Sequence, residues 1–308
     1  MTDRTVIFGA GAIGSLYAAK LAARNAVTVV ARRDHVEAIR RDGLRVAGHE
    51  SFVARVDAVS TLDAIGPRTL VLLTTKVNAN AEAARTLAPL VQPDTVILCV
   101  QNGLDAEAIV RDVIGSRCTV LRAITQFGAI FAEPGVVDFK VAGYTLIEDG
   151  PESRAIADLL SASGLDGRVA ARIDVDIWRK LIFNCVINPI TSIVGSEVGG
   201  IADPRLDPLK RLVIDECLRV AAADGVTFDV DFVDTIAKVF GPSRNTASMR
   251  QDLLRQRPTE IDHMNGAVVA LGRRFGIECP VNAALVSIIK ALEARGDVSS
   301  GRTPPSRR

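Results

Sequence analysis

Lys180, Asn184 and Asn188 are the residues of this chain best placed to act on a polarised oxygen. They recur every four residues within the stretch 176–192, which is otherwise rich in Trp, Leu, Ile, Val, Phe and Cys. Such a stretch is expected to form a helix, and residues four apart on a helix lie nearly above one another. Trp178, Leu181, Ile182, Cys185 and Val186 belong in a core, so one Lys and two Asn form a polar stripe on an apolar rod. Buried polar groups are costly unless paired. One reading is a solvated face whose lysine snorkels. The other is a polar seam facing a cleft, with the ammonium set at a reacting oxygen. Its three N–H groups can stabilise a developing alkoxide and pass it a proton. An ordinary lysine titrates near pH ~10.4, so partial burial is expected to lower that value and make the group a readier acid.

A second constellation lies at the amino terminus. Val6-Ile7-Phe8 reads as a short buried strand, and Gly9, Ala10, Gly11, Ala12, Ile13 and Gly14 follow it, then a helix of small and apolar residues from Ser15. In a strand–turn–helix of this kind the first Gly permits the tight turn. The second lets the backbone approach a pyrophosphate, and the third lets helix and strand pack closely. The phosphates would sit on the helix amino terminus, where free N–H groups and the dipole favour anions. The competing reading is a glycine turn needed only for packing. At the end of the next strand, Val27–Ala31, NAD-binding folds usually place an acid for the ribose hydroxyls. Arg32 and Arg33 stand there instead. An acid would repel a 2′-phosphate, whereas an Arg pairs with it bidentately, so NADPH/NADP is expected, with a solvated charge pair as the alternative. Lys76 and Asn102 follow two further strands, Thr69–Thr74 and Thr95–Val100, at the ends where open α/β sheets bind ligands. Asn102-Gly103 is equally a common turn pair. Glu260 opens an expected helix capped by Thr259 and completed by Asp262. There it reads either as a carboxylate stabilising the helix dipole or as a ligand.

Three segments together carry a resemblance: WRKLIFNCVINPIT at residues 178–191, GAGAIG at 9–14 and TEIDHMNG at 259–266. The chain resembles the ketopantoate reductase (2-dehydropantoate 2-reductase) family over nearly its whole length, from Arg4 to about Ala294. The resemblance implies a Rossmann-type domain followed by an all-α domain like the carboxy-terminal domain of 6-phosphogluconate dehydrogenase. It implies that Lys76 and Asn102 touch cofactor and that Asn102 also touches substrate. It implies that Glu260 lines the cleft near both, and that Ser248, in the segment Asn245–Met249, binds the substrate carboxylate. Lys180 would then be the proton donor, with Asn184 and Asn188 orienting the substrate. The reaction implied is NADPH-dependent reduction of 2-dehydropantoate to (R)-pantoate, on the way to pantothenate and coenzyme A. Two positions depart from the pattern. Gln101 stands where one branch carries His, and Val198 stands nearest to where some members carry a substrate-contacting Asn. Val198 keeps open another branched or aromatic 2-oxo acid as substrate. A non-catalytic NADP(H)-sensing protein is the reading from another class, against which an intact Lys180 and Glu260 argue.

The elements that must hold these residues follow from pattern and composition. The chain has 308 residues, enough for two domains. Hydrophobic residues make up 48%, charged residues 24%, and net charge is +1, so no general attraction to nucleic acid or membrane is expected. The five Cys form no CxxC pair and read as reduced core residues of a cytoplasmic protein. No signal peptide and no membrane-spanning run is read. With three His and no Cys/His cluster, neither a metal site nor a Ser-His-Asp triad is indicated. Strands alternate with helices up to Arg172, including a hairpin within Leu44–Val53 and an antiparallel edge pair, Val136–Lys140 with Gly143–Ile147. Thereafter only helices are expected: Asp174–Ser192, bent at Pro189, then Leu209–Asp224, Asp231–Phe240, Thr246–Gln256, Thr259–Phe275 and Val281–Arg295. This assigns residues 1–171 to an NADP-binding Rossmann domain, 172–300 to an all-helical substrate domain and 301–308 to a mobile tail. The partner expected is a small 2-oxo acid, with a homodimer kept open.

Overall fold

The structure, a computed structural model, describes residues 4–299; the expected tail at 301–308 lies outside the described residues. The chain divides into two compact units between Ile173 and Asp174.

The first unit runs β1 (Arg4–Phe8), α1 (Ala12–Leu21), β2 (Ala26–Val30), α2 (Arg33–Asp42), β3 (Leu44–Gly48), β4 (Phe52–Ala54) and β5 (Asp57–Val59). It continues with β6 (Thr69–Leu73), α3 (Asn80–Leu87), β7 (Val96–Cys99), α4 (Ala106–Ile114), β8 (Thr119–Thr125), β9 (Gly128–Glu133), β10 (Val136–Val141), β11 (Thr145–Ile147), α5 (Ser153–Ala162) and β12 (Gly167–Val169). An eight-stranded sheet has the order β12-β11-β8-β7-β6-β1-β2-β5. From β8 to β5 the neighbours are parallel, and β11 joins β8 antiparallel. Side chains alternate across the pleat, so a strand covered on both faces is apolar throughout. Thus Leu70 and Leu72 of β6 enter one core with Leu16 and Tyr17 of α1, while Val71 and Leu73 enter the other with Val110 and Ile114 of α4.

The pairing expected at the sheet edge is corrected. Val136–Val141 does not pair with Thr145–Ile147. It forms a hairpin with β9 and lies parallel to β3, in a separate sheet of order β4-β3-β10-β9, while β11 joins the main sheet. The deciding feature is the turn Pro134-Gly135, where Gly135 has φ +80°. A tight turn makes the nearest preceding segment the partner, because only a short loop must close. β5, α2 and α4 were not foreseen; each is short, and α2 hides Val36, Ala38 and Ile39 under a charged outer face.

Among the described residues the second unit is helical: α6 (Ile173–Val194), α7 (Asp207–Ala223), α8 (Phe232–Phe240), α9 (Ser248–Leu254), α10 (Asn265–Arg274) and α11 (Pro280–Ser299), with short 3-10 turns between. α6 continues past Pro189. Proline has no N–H for the carbonyl four residues back, here that of Cys185. The Asn265 side chain supplies the missing donor, its Nδ2 lying 2.9 Å from the Cys185 carbonyl.

The helix expected from Thr259 to Phe275 is also corrected. A 3-10 turn spans Ile261–His263, Met264 breaks the path at φ −111°, ψ −99°, and α10 starts only at Asn265. The two capping residues also bind α11. Thr259 is fully buried and donates from its hydroxyl (2.6 Å) and its amide (2.8 Å) to Glu293. Asp262 pairs with Lys290 at 2.5 Å. The Thr259 hydroxyl still accepts the Ile261 amide at 3.3 Å, but charge-assisted bonds, roughly twice as strong as neutral ones, anchor its two donors and Asp262 to α11.

Candidate active site

The glycine turn is shaped for close backbone approach. Gly9 has φ +97°, and a Cβ there would stand 2.5 Å from the Thr75 methyl and 2.7 Å from its nitrogen. A Cβ on Gly14 would meet the Thr74 hydroxyl at 2.5 Å and the Gly9 carbonyl at 2.8 Å. Both glycines are therefore demanded by packing. Gly11 is different: a Cβ there would meet nothing within 4 Å, and the residue is exposed. Gly11 is also the N-cap of α1 and offers no side chain to its first-turn amides. The turn thus presents open space against uncapped N–H groups, which is the cradle a pyrophosphate needs. Ala10 is buried beneath it, and Ala12 and Ile13 are half-buried in the first turn.

The other expected cofactor residues follow strands that run parallel in the same sheet, so they emerge at its same edge. Arg32 follows β2, Lys76 follows β6 and Asn102 follows β7, beside the Gly9 turn that follows β1. Arg32 and Lys76 are exposed and Asn102 is half-buried. Arg32 is the N-cap of α2, in extended conformation. Arg33 is held differently, by an ion pair with Glu37 at 2.8 Å on the exposed face of α2. Sequence reasoning missed Thr74 as part of this edge: its amide and hydroxyl donate to the Phe8 and Gly9 carbonyls, both at 2.9 Å. A threonine closing a wholly apolar strand was the available signal.

In the second unit, Lys180 and Asn184 are half-buried and Asn188 is 5% exposed, on a helix whose Ile177, Trp178, Leu181, Ile182, Cys185 and Val186 are buried. The stripe is therefore embedded, unlike a solvated face. The Asn188 amide lies 3.4 Å from the Met264 sulfur, a weak acceptor. That contact brings the stripe beside the segment 259–266, where Glu260 is half-buried. Only a three-residue 3-10 turn follows Glu260, and its side chain makes no cap. The helix-dipole reading of Glu260 thereby loses its helix. Ser248 is exposed at the first position of α9. Val198 is 8% exposed, and its amide donates to the Asn245 carbonyl at 2.8 Å, tying that apolar position to the segment that leads to Ser248.

Behind the stripe is a buried polar network that the sequence did not disclose. Asn265 also donates to Asn282 Oδ1 (2.9 Å), and Asn282 donates to Glu216 (2.7 Å), whose carboxylate further accepts the Val281 and Asn282 amides at the start of α11. Its members are drawn from α10, α11 and α7. The cysteines offer no nucleophile: all five are free, and burial pushes the Cys99 thiol up to about 12 and that of Cys118 to about 11.

Comparison with known proteins agrees with this division. A family model described as ketopantoate reductase PanE/ApbA matches residues 5–152, and its carboxy-terminal counterpart matches residues 172–293. The 2-dehydropantoate 2-reductase of Pyrococcus horikoshii is 33% identical, covering 94% of this chain and 97% of that protein. A PanE/ApbA family ketopantoate reductase from Ralstonia eutropha superposes with a TM-score of 0.89 at 30% identity, covering 96% of this chain and 99% of that one. D-mandelate dehydrogenase, in a ternary structure with NADH and anilino(oxo)acetate, superposes with a TM-score of 0.87 at 26% identity over 95% and 99% of the two chains. No helix among the described residues is long and apolar enough to cross a membrane. The strand–glycine–helix edge, the embedded Lys–Asn–Asn helix and the two family models covering most of the chain lead to one assignment: the chain belongs to the ketopantoate reductase PanE/ApbA family of oxidoreductases.

Proposed function

We propose that this protein reduces 2-dehydropantoate to (R)-pantoate with NADPH. The observation that carries the reading is the embedded stripe: a half-buried ammonium followed by two carboxamides on a helix that is otherwise core, in a chain of this family. NADPH, when bound, supplies the hydride. The Gly9–Gly14 turn and the first-turn amides of α1 would hold its pyrophosphate, and Arg32 its 2′-phosphate. Lys76 and Asn102 would contact it further along the same edge.

As charge builds on the substrate's carbonyl oxygen, Lys180 stabilises it and transfers a proton to it, completing the alcohol. Asn184 and Asn188 hold the substrate in register, and Ser248 binds its carboxylate. Asn188 gives up only a thioether contact to do so, so little is lost when it turns to a better acceptor. Glu260 accepts from the distal hydroxyl or orients Lys180. We place the catalytic machinery in residues 172–300 and cofactor binding in residues 1–171.

A second reading, reduction of a bulkier branched or aromatic 2-oxo acid, is favoured by Val198. It presents an apolar side chain where some family members carry a substrate-contacting Asn, and the likeness to D-mandelate dehydrogenase supports it. The test is turnover of NADPH and of NADH with 2-dehydropantoate, a branched 2-oxo acid lacking the hydroxyl, and an aromatic 2-oxo acid. The first reading expects the highest kcat/KM for 2-dehydropantoate with NADPH. A higher value for the aromatic acid establishes the second, and no turnover with any of them refutes both.

A further inference from the structure

Asn80 is fully buried at the first position of α3, yet none of its side-chain bonds serves that helix. Its Oδ1 accepts from Gln101 Nε2 at 2.9 Å and from the Thr75 hydroxyl at 3.3 Å, and its Nδ2 donates to the Ala106 carbonyl at 2.9 Å. Thr75 immediately precedes Lys76 and is the residue against which Gly9 is packed. Gln101 immediately precedes Asn102. The two strand ends that carry Lys76 and Asn102 therefore meet at one carboxamide, and the glycine turn packs on one of them through Thr75. From the other side, buried Arg122 of β8 donates from Nη2 to the Gly103 carbonyl at 2.8 Å. Asn102 is thus flanked by two residues that are each pinned by a buried side chain.

Packing alone does not call for an amide here. An isosteric leucine would fill the same volume, at the cost of the bonds that Gln101 Nε2 and the Ala106 carbonyl make to Asn80. What an amide adds is direction: its acceptor joins the β6 and β7 ends, which otherwise touch through a longer Gln101 Nε2–Thr75 Oγ1 contact of 3.5 Å, and its donor ties both to the Ala106 carbonyl at the start of α4. We propose that Asn80 is a positioning residue for nicotinamide-nucleotide binding, acting by setting the loops that present Lys76 and Asn102. The inference rests on the reading of those two residues as cofactor ligands.

The test is a double-mutant cycle read by NADPH affinity, measured as quenching or enhancement of cofactor fluorescence and so independent of turnover. Asn102→Ala and Lys76→Ala are each expected to weaken NADPH by about tenfold, the worth of one lost hydrogen bond to a ligand. Asn80→Leu is expected to weaken it by about fivefold in the wild-type background. In the Asn102→Ala, Lys76→Ala background it should have less than about a twofold effect, because residues acting through one another are not additive. Asn80→Asp keeps the acceptor toward Gln101 and Thr75 but sets an oxygen against the Ala106 carbonyl, so any NADPH affinity above that of Asn80→Leu reports the bonds to the strand ends, which a residue needed only for packing would not show. If Asn80→Leu fails to fold, Gln101→Leu replaces it in the same cycle, since it removes the bond to Asn80 from the other end. A full Asn80→Leu effect in the doubly substituted background, or none in the wild type, overturns the proposal. If instead Asn102→Ala and Lys76→Ala both bind NADPH as the wild type does, the assignment of the ligands has failed.

Discussion

Pro189 and Asn265 allow the repair of α6 to be measured. Asn265→Ala withdraws the donor from the Cys185 carbonyl, a buried main-chain group that Pro189 cannot serve. Leaving a buried acceptor unpaired costs about 1–3 kcal/mol. The bond to Asn282 is lost too, worth about 0.5–1.5 kcal/mol, so the second unit should lose roughly 1.5–4.5 kcal/mol in all. The substitution Pro189→Ala restores an N–H at position 189, which can bond Cys185 along the helix. In that background Asn265→Ala should cost about 1–2 kcal/mol less. The readout is denaturant unfolding followed by intrinsic fluorescence. The sole tryptophan, Trp178, lies on α6 itself, 1% exposed with its indole N–H on Asp224 at 2.9 Å, so it reports the unit in question. Equal costs in the two backgrounds, within about 0.3–0.5 kcal/mol, would refute the idea that Asn265 substitutes for the missing helical donor.

Four other outcomes are expected. Lys180→Ala should lower kcat at least about a hundredfold, at or above the loss of one oxyanion donor, with NADPH affinity nearly unchanged; in the same assay Glu260→Ala should penalise 2-dehydropantoate more than a 2-oxo acid lacking the distal hydroxyl, and equal penalties would make Glu260 a residue that only positions its neighbours. Arg32→Ala should raise KM for NADPH by roughly tenfold to a hundredfold while sparing NADH; equal loss with both cofactors would assign it to the fold. His35 supplies a pH dependence. Its Nδ1 accepts the Gly135 amide at 2.8 Å while Nε2 faces the Ser15 hydroxyl at 3.1 Å, so the buried ring is neutral, and burial holds its pKa below the usual 6.5 with Asp34 partly opposing. The unfolded chain then binds the proton more readily, so this contribution is complete above about pH 6.5 and is lost as pH falls through the lowered native value. Calorimetric stability should decline over that window in the wild type and less steeply in His35→Phe; an unchanged slope would remove His35 as the cause.

Much of the candidate site was legible because it is local. A run apolar at every position, as at residues 70–73, can only be covered on both faces. The Gly9 turn needs φ beyond +90°, which the residue type itself announces. The four-residue spacing of Lys180, Asn184 and Asn188 is a property of the helix that contains them. What tertiary structure alone decided involves partners far away in the chain. Thr259 was expected to cap a helix that starts at once; its hydroxyl does accept the Ile261 amide, yet an acceptor 34 residues later, Glu293, takes both its donors, and the helix starts six residues late at Asn265. Cys185 finds its donor 80 residues on. Val136–Val141 exchanged its expected neighbour for β9 and β3 because Pro134-Gly135 closes the shorter loop. Propensity and periodicity act over a few residues, and they specify which groups need a partner. Which partner answers depends on the surfaces that pack together, as when Glu293 of α11 receives the Thr259 amide and hydroxyl.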